Sequence, residues 1–585
     1  MSGGPVTDRR QALALAGGTA LLPLVGAGAS AAPLRRGNEA PGRDIPFDND
    51  WRFFRGAGQG FEAGGLDDAG WRRLDLPHDW SVEDIPGGAA PDQIGPFDKH
   101  AIGKTATGFT VGGEGWYRKH FRVDAYPADS RIEVLFDGAY LDSQVFLNGR
   151  PLGENIHGYI PFAFDLTPHL NRAGDNVLAV RIRNEGRNSR WYPGSGLYRQ
   201  VTLDVLPAGA RIARWGVGAW TRRLEGGRAE IDVTTSLEAP QEGLQLVTRL
   251  RDAAGRIAAE ATSAGGGEVR QTLSVAGPRL WSPDAPNLYA LESELRRGAT
   301  VVDRLSQPFG VRIVTLDPQR GMSINGTPTK LQGGCIHHDN GLLGACAFAD
   351  ADDRRVRLLK ARGFNAIRSS HNPASHTLRD ACDRLGMLLI GEAFDAWHEA
   401  KLPLDFSTRF ADHWQEVIRA MVLPARNSPS VIMWSIGNEI PSRTSDEGLK
   451  WSWTLANAIK RLDPTRPVTA GLNGVLGQEV RPAPETSRQA RAGLVDNAST
   501  VFLDVPGYNY RIEDIEREQA DHPERVVYGS ETFAREVFEY TALTQRAPYF
   551  LGEFVWTAMD YIGEAGLGAT AFLKDGGIPL YFAGW

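Results

Sequence analysis

Cysteine is scarce in this sequence: Cys335, Cys346 and Cys382 are the only three in 585 residues. An odd, small number excludes a disulfide framework, and no Cys/His spacing matches a zinc site. Basic charge is not in surplus either. Lys and Arg number 64 against 71 Asp and Glu, a formal net charge of −7, which argues against a nucleic-acid partner because such a partner favours a basic face. Long apolar runs are missing too. The most apolar stretch, about Ala12 to Val25, is too short for a stable membrane span. What remains is 42% apolar and 23% charged residues, the balance of a soluble globular chain. At roughly 100–200 residues per domain, the length predicts three domains. Tryptophan is plentiful, with 15 residues. Its flat apolar face and single donor suit stacking on sugar rings, although a large β-rich protein also buries many for packing alone.

The N-terminus reads as a targeting segment. Arg9 and Arg10 precede the apolar run, and Ala29-Ser30-Ala31 forms a small-residue cleavage site. Paired arginines predict twin-arginine export, with residues 1–31 removed and the mature chain starting near Ala32 in the periplasm or outside the cell. Such cargo folds before export in a reducing compartment, which agrees with the cysteine usage. A Sec signal is the alternative. After removal of the segment no membrane contact is expected.

Residues 44–206 alternate apolar and polar positions over short runs, as in RIEVLFDGAYLDSQVFLNGRPL, with DG and NG marking turns. They predict an all-β sandwich of the jelly-roll kind. Residues 209–314 carry a second set of about seven short strands, including AEIDVTTSLE and LYALESELR, and predict an immunoglobulin-like sandwich without its disulfide. From residue 322 to 585 the rhythm changes. Eight apolar runs (TKLQGGCIH, FNAIRSS, LLIGEAF, VIMWSIGNE, VTAGL, VFLDVPGYNY, VVYGSETF and EFVWTAM) alternate with amphipathic stretches such as Asp352–Gly363 and Thr377–Gly386. Continuous apolar strands alternating with helices imply a parallel sheet covered on both faces, and eight units imply a (β/α)₈ barrel.

In such barrels the active site lies at the C-terminal ends of the strands. Polar residues cluster there: His337 and His338 after the first run, His371 and Asn372 after the second, Glu392 in the third, Asn438 and Glu439 ending the fourth. Tyr510 ends the sixth, Glu531 the seventh, and Trp556 and Asp560 lie in or just past the eighth. Two carboxylates facing one cup are what glycoside hydrolysis requires: one protonates the leaving oxygen, and the other attacks the anomeric carbon or activates water. Asn438 is placed to donate to a sugar hydroxyl near the reacting carbon. For a single strand-end glutamate the plainer reading is a structural ion pair; two in one barrel, one preceded by Asn, shift the reading toward catalysis. Arg368 is open to either reading, as an ion-pair partner of a site carboxylate or as a functional group.

Four segments carry a resemblance: SRWYPGSGLYR (189–199), LWSPDAPNLY (280–289), FNAIRSSHNPAS (364–375) and VIMWSIGNEI (431–440). From about Asp44 to the C-terminus the chain resembles the family 2 glycoside hydrolases, the group of β-galactosidases, β-glucuronidases and β-mannosidases. By position, the resemblance implies that Glu439 is the general acid/base and Glu531 the nucleophile. It implies that His338 and His371 grip substrate hydroxyls, with His337 a weaker alternative to His338. Tyr510 is implied to hydrogen-bond the nucleophile, in preference to Tyr508, and Trp556 to floor the sugar pocket. The implied reaction is retaining double displacement on a terminal β-D-galactoside of an oligosaccharide or polysaccharide. β-Glucuronidase is the alternative, weakened because that group's Asn-x-Lys element has no counterpart in Gly552–Trp585, where only Lys574 occurs. A passive carbohydrate-binding protein is the non-enzymatic alternative. No metal or other cofactor is expected; Mg²⁺, used by some relatives, finds no matching ligand spacing in GEAFDAWHEAK. Homo-oligomerisation is left open.

The sequence departs from the family pattern in three places. Pro424, Ala425 and Ser428 stand where Arg, Asp and His are common, which predicts looser packing behind the fourth strand. Pro193 stands in the jelly-roll turn where large β-galactosidases place an acid that reaches the active site. Finally, nothing after Ile562 reads as a long helix, so the barrel is expected to lack its last helix, as a C-terminally truncated chain would.

Overall fold

The computed structural model describes residues 42–88, 92–474, 498–563, 568–571 and 580–583. The export signal predicted over residues 1–31 lies outside them.

The first domain is a two-sheet sandwich. Ile45–Pro46, Val201–Leu206, Arg131–Phe136 and Phe162–Asp165 form one antiparallel sheet; a six-stranded sheet centred on Gly113–Phe121 and Asn176–Asn184 forms the other. Between them lies an apolar core that includes Trp51, Tyr117, Val134, Phe136, Val180 and Leu203. The second domain has the seven strands expected, in sheets of three and four. Its patterning shows why. Along Arg228–Glu238 every second residue, Ala229 to Leu237, is buried, as a sheet with one face on a core demands.

All eight apolar runs predicted for the third domain become the strands of one closed parallel barrel. They are β1 (Leu331–Ile336), β2 (Ala366–Ser369), β3 (Leu388–Glu392), β4 (Val431–Asn438), β5 (Val468–Leu472), β6 (Gly507–Asn509), β7 (Val527–Phe533) and β8 (Phe550–Met559). Every residue of β4 is buried, because its outer face meets helices and its inner face fills the barrel. The ring closes where Leu331 of β1 pairs with Gly552 of β8. Gly552 has φ +134°, and a Cβ there would lie 1.9 Å from the Leu331 carbonyl oxygen, so only glycine permits this approach. A hairpin, Val314–Asp317 with Gly321–Ile324, packs Met322 and Ile324 against Leu331 and Phe554. The expected absence of a last helix falls on residues 564–585. Of these only 568–571 and 580–583 are described, and they pair as antiparallel strands.

Local chemistry sets the helix ends. Ser375 caps His376–Leu385 by accepting from the Leu378 amide, and Gly386 ends it at φ +73°. Ser445 caps Asp446–Leu462, with Asp446 and Glu447 in the first turn and Lys460 and Arg461 in the last, charges that oppose the helix dipole. The looser packing predicted behind β4 is corrected: the residues there that depart from the family pattern stay packed. Ala425 and Ser428 are buried, and Ser428 O accepts from Arg466 Nη2 at 2.6 Å. A cavity of about 510 Å³ opens between the three domains, lined by Pro424, Ala425 and Ser428 together with Met421 and Trp434.

One buried carboxyl in the barrel wall has a measurable consequence. Glu553 on β8 is 6% exposed, and Thr532 Oγ1 donates to it at 2.8 Å. Burial pushes its pKa from 4.5 up to about 7. The folded state therefore keeps this proton where the unfolded chain has lost it. The contribution to stability is full below about pH 4.5 and is lost as pH rises through about 7. At about 1.36 kcal/mol per unit, the ceiling is ~3 kcal/mol. Glu553→Gln should leave the melting temperature unchanged at pH 4.5 and raise it at pH 8; thermal melts across that range give the answer, and parallel curves would refute it.

Candidate active site

A single guanidinium organises the barrel mouth. Arg368, in β2, is wholly buried. It donates from Nη2 to Glu392 on β3 at 2.7 and 2.9 Å, from Nη2 to Asn438 Oδ1 at 3.0 Å, and from Nη1 to Glu531 Oε1 at 2.8 Å. Ser435 Oγ at 2.7 Å and His371 Nδ1 at 2.7 Å complete the contacts of Glu392. Burial alone would raise Glu392, but Arg368 and His371 outweigh it and hold the carboxyl below its ordinary range. With Nδ1 on Glu392, His371 receives Asn438 Nδ2 at 3.3 Å on Nε2, which assigns the proton to Nδ1. The same Nε2 lies 3.8 Å from Glu531. Arg368 is thus both an ion-pair partner and a part of the site.

The two glutamates singled out from the sequence enter one hydrogen-bonded network with different partners. Glu531 is 4% exposed and is held by Arg368 and by the Tyr510 hydroxyl. Tyr510 is raised far above its usual value by burial, by the charge of Glu531 and by donating to it. Glu439 is only partly buried and accepts from Asn509 Nδ2 at 3.2 Å. Asn509 also donates to Asn438 Oδ1 at 3.2 Å, which ties the pair together. Among the described residues no cation lies within ion-pair distance of Glu439. One carboxyl is therefore gripped by a cation and a phenol, and the other is partly exposed with one neutral donor. Glu439 and Tyr510 each sit one residue past a strand with φ +46° and +57°. Such left-handed backbone costs ~1–3 kcal/mol in a non-glycine residue and turns both side chains off the strand direction.

Aromatic rings wall the cup. Trp556 stacks on His371, with ring centroids 5.1 Å apart and planes 5° from parallel. Trp191, from the jelly roll, stacks on His337 at 5.0 Å and meets His371 edge-on at 5.4 Å. His337 also meets Trp556 edge-on at 5.2 Å. The placement of His338 in this site is corrected. His338 is 8% exposed and lies against Tyr159 of the jelly roll at 4.6 Å, and its Nε2 is buried without a partner among the described residues. Burial, Arg199 and neighbouring histidines push its pKa well down. Parity explains the difference. Cys335 faces the barrel interior, 3.7 Å from Arg368 Nη1, so the period of two sends His337 inward and His338 outward. His337→Ala should raise KM for a glycoside about tenfold, the effect of losing roughly 1.4 kcal/mol of ground-state binding. His338→Ala should leave KM within about twofold and lower the melting temperature instead. Steady-state kinetics with thermal melts decide between them.

The sequence reading missed several other residues. Trp191 carries no strand-end signal, yet it reaches the cup beside the turn where Pro193 departs from the family pattern. The jelly-roll turn thus supplies an aromatic ring there. Asp79 anchors that turn, accepting from Tyr192 Oη at 2.5 Å, the Ser195 amide at 2.8 Å and the Ala345 amide of the barrel at 2.9 Å. Asp395 lies beside Asn438 Nδ2 at 3.4 Å. Arg190 grips it with two bonds of 2.9 and 2.8 Å, and Lys401 with one of 2.9 Å. Burial would raise Asp395, but Lys401 and Arg190 outweigh it and hold it well below the carboxylate range. No strand-end position marks Arg190 or Trp191, since they come from another domain. Among the described residues no three His, Cys, Asp or Glu side chains are arranged to hold a metal ion.

A parallel barrel with a glutamate at the ends of β4 and β7, and with a sandwich domain pressing a tryptophan into its mouth, defines a class of sugar-processing barrel proteins. The comparisons agree on the family. Residues 317–567 match the TIM barrel domain of glycosyl hydrolases family 2, residues 219–312 another domain of that family, and residues 101–207 its sugar binding domain. The β-galactosidase BoGH2A of Bacteroides ovatus is 34% identical across 90% of this chain and 68% of its own length. A putative β-glucuronidase of Formosa agariphila is 30% identical across 93% of this chain and 54% of its own. Among solved structures, a glycosyl hydrolase family 2 member from Bacteroides cellulosilyticus superposes with a TM-score of 0.83 at 40% identity, covering 90% of this chain and 66% of that one. The chain belongs to glycosyl hydrolase family 2, and it spans between about half and two thirds of the length of these relatives.

Proposed function

We propose that the protein is a retaining exo-β-glycosidase that removes terminal β-D-galactosyl units from oligosaccharides or polysaccharides. The observation that carries this is the unequal setting of Glu439 and Glu531 in one aromatic cup. Glu439, partly open and without a cation, delivers a proton to the glycosidic oxygen. Glu531, held in place by Arg368 and Tyr510, attacks the anomeric carbon, and the C–O bond to the leaving group breaks. Water, deprotonated by Glu439, then releases the sugar from the glycosyl ester. The ring of Trp556 gives the sugar a stacking face, beside the Trp191–His337 stack. His337, His371 and Asn438 point polar atoms at its hydroxyls, and no step calls on a metal. The name of the Bacteroides ovatus relative supports galactose as the sugar. The names of the Formosa agariphila relatives favour β-glucuronidase as the second reading; Lys574, the only lysine in Gly552–Trp585, lies outside the described residues. Twin-arginine export to the periplasm or beyond is part of the proposal.

The test is hydrolysis of p-nitrophenyl β-galactoside and β-glucuronide, with NMR of the anomer first formed. Galactoside turnover giving the β-anomer is expected. Preference for the glucuronide would move the assignment to the second reading, and binding without turnover would make the protein a passive carbohydrate binder.

A further inference from the structure

A chamber of about 140 Å³, lined in part by Trp191 and Asp395, lies between the jelly roll and the barrel. It takes no part in the reaction described above. Its walls are aromatic: Tyr140, Tyr159 and Trp191 from the jelly roll, Phe394 and Phe406 from the segment after β3. They are locked in place. Tyr140 Oη donates to Asn188 at 2.9 Å, Trp191 Nε1 donates to Tyr159 Oη at 3.0 Å, and Phe406 stacks on Phe394 at 5.9 Å. Such a chamber exists before any ligand arrives.

Several buried polar side chains line it, His157, Ser189, Asn372 and Asp405 among them. His157 lines the chamber at 4% exposure and takes the Tyr159 amide on Nδ1 at 3.2 Å. Burial and Arg199 push its pKa down to about 3. The ring is therefore neutral with its proton on Nε2, and that N–H has no partner among the described residues. At the rim, Asp142 and Glu185 offer carboxylate oxygens, and Arg409 stands 3.9 Å from Asp142. Of the other charged lining groups, Asp405 is taken up by the amides of Lys401 and Leu402, both at 2.8 Å, and Asp395 by Arg190 and Lys401. The acceptors left at the rim repel an anion and suit hydroxyls. Flat rings, one buried N–H donor and rim carboxylates describe a site for a neutral pyranose.

Its position says which sugar. Trp191 and Asp395 are walls of the chamber and also touch the cup, Trp191 through His337 and His371, Asp395 through Asn438. On the glycosidase reading, Asn438, which precedes the acid/base, is placed to meet the hydroxyl next to the reacting carbon, a contact that tightens in the transition state. We propose that this chamber is a second sugar subsite, holding a neutral pyranose joined to the 2- or 3-hydroxyl edge of the sugar in the cup. The inference rests on the glycosidase reading above. On it, the enzyme accepts a branched terminal unit as well as a bare one.

The test compares p-nitrophenyl β-galactoside with the same glycoside carrying a second galactose on O2 or on O3, in the wild type, His157→Ala and Thr408→Trp. The first variant removes the donor. The second narrows the chamber from an exposed position on its lining without touching the cup. The wild type should cleave at least one branched glycoside with a kcat/KM no lower than the plain one. Both variants should lose tenfold or more on that branched substrate and stay within twofold on the plain one. Wild type that cleaves the plain glycoside and neither branched one overturns the subsite, as do variants that lose equally on both. Wild type that cleaves none of them removes the glycosidase reading, and the subsite with it.

Discussion

Glu439→Ala will lose about 10²–10⁴ in kcat/KM on a glycoside with a poor leaving group, the usual worth of a general acid, yet will stay near wild type on a dinitrophenyl glycoside. A dinitrophenolate departs without a proton, so attack by Glu531 proceeds unaided. The glycosyl ester should then accumulate, because the base that activates water is gone, and azide should relieve it, giving a β-glycosyl azide. Glu531→Ala should behave differently. It removes the attacking atom, so no leaving group rescues it, and azide entering from the vacated face should give the α-glycosyl azide. The two products are distinguishable by NMR. Equal behaviour of the two variants on both leaving groups would overturn the division of roles drawn from Arg368, Tyr510 and Asn509.

Arg368→Met should be the most destabilising single change in the barrel. The guanidinium is buried between Glu392 and Glu531, and removing one partner of a buried pair costs about 3–5 kcal/mol because the remaining charge is left uncompensated. For a domain of this size that is a fall in melting temperature of roughly 6–20 °C. Adding Glu392→Met removes the stranded carboxylate and should restore much of the stability. Activity should not return, because Glu531 still lacks its cation and His371 has lost the acceptor that orients it. Calorimetry with kinetics on the single and double variants separates the two effects. Recovery of both stability and activity in the double variant would show that Arg368 is structural only.

Much of this was legible beforehand, for a reason visible in particular strands. VIMWSIGN is apolar nearly throughout, and a strand buried on both faces must be. GGCIH, LLIGE and VVYGSE repeat the pattern, and each polar residue that ends such a run falls at the strand's C-terminal mouth. Glu439, Glu531, Asn438, His371, Tyr510 and Trp556 were located by that rule and by resemblance, and all six meet in the structure. The choice between His337 and His338 also had a signal, the inward parity of Cys335, which the adjacent pair of histidines obscured.

The order of elements, the sites of turns and the residues that end the barrel strands follow from the chain alone, because they depend on neighbours within a few positions: period two in the sandwiches, continuous burial in the barrel, Ser375 and Gly386 at the helix ends. What only the tertiary structure decided are meetings between distant residues. Arg368 found Glu392 and Glu531, Trp191 crossed from the jelly roll to His337, and Arg190 closed on Asp395 from 205 positions away. Such contacts are set by how whole domains dock, and docking depends on complementary surfaces that no local pattern of residues encodes.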